Sequence, residues 1–171
     1  MLEEHLRGVL QSQSLEVGDA APDFELPALV AGVRKPLRLS DYLPKRKVIL
    51  AFYPSNWEQT SARQLRGYQT ERTRLLAHDV EAVAISVDSI MNTTAWERVI
   101  GPFDFALCSD FWPHGEVSRR YGVFQESGNE AGVCQRAVFV IDRAGTIAFR
   151  KIYDMDIAAP VDDIFAVLET K

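Results

Sequence analysis

Residues 48–65, VILAFYPSNWEQTSARQL, hold the part of this chain best placed for chemistry. An apolar, β-prone run over residues 48–53 is stopped by Pro54, and a pattern of helical period follows from about Trp57. A strand that hands over to a helix in this way leaves the first-turn N–H groups without intrahelical acceptors. They sit at the positive end of the helix dipole. Such a junction suits an anion or a developing negative charge. Ser61 lies one turn after Trp57, within that first stretch of helix, with Glu58, Arg63 and Gln64 beside it. A serine hydroxyl is a much weaker acid than a thiol, and no histidine lies nearby in sequence to serve as its base.

The rest of the composition narrows the field. The chain has 171 residues, 47% hydrophobic and 25% charged, enough for one globular core. A net charge of −5 argues against nucleic acid or an anionic membrane as the main partner. No apolar run approaches the roughly 20 residues that span a bilayer. The acids within residues 1–7 do not suit a secretory signal, so a cytoplasmic location is expected. Two cysteines, Cys108 and Cys134, make neither a disulfide framework nor a metal cluster, and three scattered histidines add nothing to them. No metal and no cofactor are expected.

The elements that must position the junction can be read in order. Leu2, Leu6, Val9 and Leu10 have helical spacing, so residues 1–14 are expected to form a helical extension ahead of a single domain at 15–171. Phe24 and Leu26 open an alternating strand, with a hairpin partner around residues 37–39. Ser40-Asp41 is expected to cap a helical turn, after which residues 47–53 form the first central strand. A helix is predicted over residues 57–78, then a doubly buried strand at 80–87 and a helix at 92–99. A short strand at 103–108 and a helix near 115–121 follow, then a hairpin of 136–142 with 146–152. Pro160 starts a closing helix over 161–168, in the first-turn position that proline tolerates. This order gives an α/β sandwich of thioredoxin-like type, a central mixed sheet flanked by helices.

Several phrases in this order resemble the peroxiredoxins, the alkyl hydroperoxide reductase and thiol-specific antioxidant family. They are Gly18-Asp19-Ala20-Ala21-Pro22-Asp23-Phe24, Phe52-Tyr53-Pro54, Ser86-Val87-Asp88, Leu107-Cys108-Ser109-Asp110, Tyr121-Gly122-Val123 and residues 136–142, RAVFVID. The resemblance covers residues 18–168 and implies the same thioredoxin-like, peroxiredoxin-type fold. It also implies a site. Pro54 matches the proline that shields the nucleophile, Glu58 stands at the Thr/Ser position, Ser61 at the peroxidatic cysteine, and Gln64 at the Glu/Gln that follows. Arg136 matches the family's arginine, which with the helix end lowers a thiol pKa from about 8.5.

The scaffold therefore matches and the nucleophile does not. Serine cannot climb the sulfenic acid ladder that peroxide reduction needs. A carboxylate at Glu58 opposes a neighbouring thiolate, and is expected to pair with Arg136 or Arg63. Cys134, two residues before Arg136, shares its face if both lie on one strand, which makes it a possible substitute redox centre. Its other reading, a small residue packed at a strand start, is favoured. Cys108 is expected to pack in the core, and His114 to line a pocket rim or an interface.

The expected function is that of a peroxiredoxin-like protein with weak or absent thiol peroxidase activity. The alternatives are a non-catalytic thioredoxin-fold binding module and a Cys-to-Ser form of an active peroxidase. Glu58 and Ala62-Arg63 speak for natural divergence over the last of these. The partners implied are a hydroperoxide or small anion at the pocket if active, a thiol reductant or a protein, and a second copy in a homodimer. Trp57, Phe111, Trp112 and Phe124 are the expected contact surface of that dimer.

Overall fold

The computed structural model describes residues 14–170. The expected helix at residues 2–11 lies outside them. Seven strands form one mixed sheet in the order β2-β1-β5-β4-β3-β6-β7. They are β1 Glu25–Val30, β2 Val33–Arg38, β3 Lys47–Phe52, β4 Val80–Ser86, β5 Ala106–Ser109, β6 Arg136–Ile141 and β7 Ile147–Tyr153. β3, β4 and β5 run parallel, while β6, β7, β1 and β2 are attached antiparallel. β4 and β6 are buried along their whole length, as near-continuous apolar runs demand when both faces are covered.

Four helices cover one face: α1 Gln59–Thr70, α2 Arg72–Ala77, α3 Ile90–Ile100 and α5 Val161–Leu168. Ala62, Leu65, Tyr68, Leu75, Trp96, Ile164 and Phe165 join the inward residues of the strands there. The other face packs Phe24, Leu37, Leu39 and Tyr121 with Val117 of α4, Glu116–Arg120. The architecture is the expected thioredoxin-like sandwich.

Some boundaries moved, each for a local reason. The strand expected at 103–108 begins at Ala106, because Phe103 N–H bonds to the Glu97 carboxylate and Asp104 N–H to the Gln69 side chain. The helix expected over 57–78 is two helices meeting at Glu71, and its first residue is not helical. Trp57 has φ +65, a left-handed conformation unusual for a large side chain. Ser40-Asp41 caps nothing. Leu39–Asp41 is a single 3-10 turn without a side-chain cap, and the Asp23 carboxylate takes the Ser40 N–H. Pro160 stands one place earlier than expected, at the N-cap of α5.

In the β1–β2 hairpin Pro27 faces Pro36. Neither residue has an N–H, so this is a pair without mutual backbone bonds, and the backbone of Pro36 turns toward the open edge of the sheet. Pairing of β1 with β5 likewise stops at Ala28, next to Pro27.

Candidate active site

β3 ends at Phe52, and the loop Tyr53 to Glu58 carries the chain from the sheet to α1. That loop is fastened from below. The buried Asn56 donates its side-chain N–H groups to Asn92 Oδ1 at 3.0 Å and Thr93 Oγ1 at 2.9 Å. Its oxygen accepts from Tyr53 OH at 2.8 Å, and its backbone N–H donates to Asp88 at 2.8 Å. Trp57 Nε1 donates to the same Asn92 oxygen at 3.0 Å, which holds the left-handed residue in place with its ring exposed. A non-glycine residue in this region costs about 1–3 kcal/mol and persists only where its surroundings over-determine it.

Glu58 is the N-cap of α1. Its Oε1 accepts from Thr60 N at 2.8 Å and its Oε2 from Ser61 N at 2.7 Å. Oε2 also accepts from Ser61 Oγ at 2.6 Å and from Arg136 Nη2 at 3.0 Å. Of the two arginines that the sequence offered, Arg136 is therefore the partner, while Arg63 turns to Thr60 Oγ1. Partial burial disfavours the Glu58 charge, but the hydrogen bonds from Ser61 and Thr60 outweigh it and hold the carboxyl down at about 2.

Arg136 is fully buried. A guanidinium has five N–H donors, and each of these has an acceptor. Nη1 donates to Gln64 Oε1 at 2.8 Å and Ser61 Oγ at 3.2 Å. Nη2 donates to Glu58 and to the Met155 carbonyl at 2.9 Å, and Nε to that carbonyl at 3.3 Å. Gln64 is oriented in turn by donating from Nε2 to Tyr68 OH at 3.1 Å. Ser61, with no exposed surface, thus donates to Glu58 and accepts from Arg136.

Ser61, Glu58, Gln64 and Arg136 meet, and Pro54 is buried in the loop before them. Cys134 does not share the face of Arg136. It precedes β6, in an isolated bridge with Phe124, and packs with Ala137, Phe139 and Ile141 on the opposite side of the sheet. Its thiol donates to the Tyr53 carbonyl at 3.0 Å, and burial pushes its pKa up. Cys108 is buried with a raised pKa for the same reason. His114 reaches the Gly132 and Phe111 carbonyls, away from the site. No cluster of His, Cys, Asp and Glu suited to a metal occurs among the described residues.

Sequence reasoning missed Tyr68 and Met155. Tyr68 follows Gln64 at helical i+4 spacing, which was a usable signal. Met155 acts through its backbone carbonyl, for which side-chain chemistry gives no sign.

The Glu58 pKa fixes a pH dependence. A carboxyl held near 2, against an ordinary 4.5, contributes stability that is fully present above about 4.5 and is lost as pH falls toward 2. Urea unfolding across that interval is expected to show a steeper acid loss in this chain than in Glu58→Gln. Parallel slopes would mean that Glu58 is solvated in solution.

A thioredoxin-like sheet whose central strand delivers a helix N-terminus against a buried arginine defines a peroxiredoxin-type protein. The chain belongs to the AhpC/TSA family, whose model matches residues 17–150. It is 36% identical over 138 residues to alkyl hydroperoxide reductase E of Mycobacterium tuberculosis, covering 81% of this chain and 86% of that protein. It is 30% identical over 162 residues to a chloroplastic 2-cysteine peroxiredoxin of Chattonella marina var. antiqua, covering 91% of this chain and 80% of that one. The solved 2-Cys peroxiredoxin of Plasmodium vivax superposes with a TM-score of 0.83 at 24% identity, covering 91% of this chain and 81% of that one, a likeness of fold.

Proposed function

We propose that this chain is a peroxiredoxin-family protein whose thiol peroxidase activity is weak or absent, with Ser61 at the position of the attacking cysteine. One observation carries the reading: every N–H of Arg136 is spent on protein acceptors, and Glu58 takes the place of an incoming anion. A hydroperoxide needs donors at this point, and must displace the chain's own carboxylate to find them. Glu58 is also a poor base for Ser61, because a carboxyl that titrates near 2 has little affinity for a proton at neutral pH. Hydroperoxide consumption with a small dithiol reductant is the test. Consumption at the buffer rate is expected, and catalytic turnover would overturn the reading.

A binding role for the retained scaffold is supported by a second observation. Trp57, Phe111 and Trp112 are 56%, 50% and 80% exposed on loops at the carboxyl ends of β3 and β5. Phe124 is not among them, being partly buried under Arg119 and against Gly115. Exposed aromatics at this density mark a contact surface. A homodimer is expected in sedimentation at about tens of micromolar, where modest interfaces still associate. A monomer there would refute it. The cytoplasm is the compartment we assign, in keeping with two unpaired cysteines.

A further inference from the structure

We propose that, among the described residues, Met91 is the side chain through which hydroperoxides modify this protein, its thioether being converted to the sulfoxide. The inference rests on the reading that the pocket around Ser61 is closed. With that pocket closed, the question is which sulfur an oxidant in solution meets first. Cys108 and Cys134 have no exposed surface, and burial keeps both protonated, whereas thiol oxidation proceeds through an accessible thiolate. Met155 is partly buried beside Arg136. Met91 is 68% exposed. A thioether needs no ionisation to react, so among these sulfurs access decides the order.

The place of Met91 also favours the product. Ser89 caps α3 by accepting from Asn92 N, which makes Met91 the second residue of that helix. The first-turn N–H groups of Ile90 and Met91 have no intrahelical acceptor. A sulfoxide oxygen carries partial negative charge and is a much stronger acceptor than the original thioether sulfur. It is therefore better tolerated in a first helical turn than within a helix. In the reaction the sulfur lone pair attacks one peroxide oxygen and the O–O bond breaks. Sulfur gains that oxygen and loses two electrons. The oxygen passed to sulfur gives up its hydrogen as a proton, and the alkoxide or hydroxide that leaves takes up one proton and departs as alcohol or water.

The test is timed exposure of the folded chain to hydrogen peroxide or tert-butyl hydroperoxide, followed by peptide mapping, which separates Met91 from Met1 and Met155. Met91 is expected to gain one oxygen about tenfold faster than Met155 or either cysteine, a ratio that falls to near one for the two methionines in concentrated urea. The oxidised chain should melt within about 2 °C of the untreated one, because a first-turn change in exposed surface leaves the core intact. Met91→Leu should abolish that mass gain and leave the other sites unchanged. Equal slow oxidation of Met91 and Met155 in the folded chain would overturn this proposal alone. Preferential oxidation of Met155, beside Arg136, would overturn it together with the closed-pocket reading, since the oxidant would then be gathering at the site. Preferential oxidation of Cys134, on the other side of the sheet, would overturn this proposal alone.

Discussion

Ser61→Cys alone is expected to restore little peroxide reduction, whereas Ser61→Cys with Glu58→Thr should restore about a hundredfold more, mostly through the thiolate population. A sulfur in place of Ser61 Oγ meets the Glu58 carboxylate, which lies 2.6 Å from that oxygen. Two like charges about 4 Å apart repel by about 4 kcal/mol at an effective dielectric of about 20. That raises a thiol pKa by about three units. Glu58 is 37% exposed at its side chain, so solvent screening reduces the effect, and a hundredfold is the expectation after that discount. Threonine removes the charge, releases Arg136 Nη2, and supplies a hydroxyl that can orient a peroxide. Thiolate absorbance titrated with pH, alongside peroxide consumption with a small dithiol, separates the two contributions. If the single replacement is fully active, Glu58 is a solvated surface acid and the account of the pocket fails.

Arg136→Met is expected to cost about 3–5 kcal/mol of stability, because it removes the cation paired with Glu58 and every donor that Arg136 supplies to Ser61, Gln64 and Met155 inside the fold. For a chain of this size that is a fall in melting temperature on the order of 10 °C. Adding Glu58→Gln should recover part of it, since the neutral amide no longer needs a cation. The double variant is thus less destabilised than the sum of the two single changes, which is the signature of a direct coupling. A loss below about 1 kcal/mol for Arg136→Met, the size of an exposed pair, would show that the network is not formed in solution.

The sheet was largely legible because its signals are long. Residues 48–53 are apolar throughout and 80–87 nearly so, interrupted by Glu81 and Ser86, and burial of both faces is their simplest consequence. Ser61, Glu58 and Gln64 could be placed together because they share one helical turn, and Arg136 because of the phrase around it. Cys134 was misplaced because alternation was extended past the first ladder residue, where the chain leaves the strand geometry. The Asn56–Asn92 fastening was not legible. It joins residues 36 apart, and nothing in either short segment announces the other. The start of β5 was missed for a related reason, since side chains of Glu97 and Gln69 captured backbone groups that a strand would otherwise use.

The opposed Pro27 and Pro36 bear on how copies of this protein behave when crowded together. An exposed strand is a template for another chain, and uncontrolled templating ends in fibres. At β2 the template lacks a donor midway along, and Arg34 and Lys35 add repulsion between copies. β7 has no proline, so it is the receptive border of the sheet. A sheet with one receptive border can be extended once, by a second copy offering its own β7. That contact uses up both receptive borders, so growth along the sheet edge terminates at two. Pro36 thus works as a chain stopper against edge-to-edge polymerisation, and replacing it would open a route to indefinite growth.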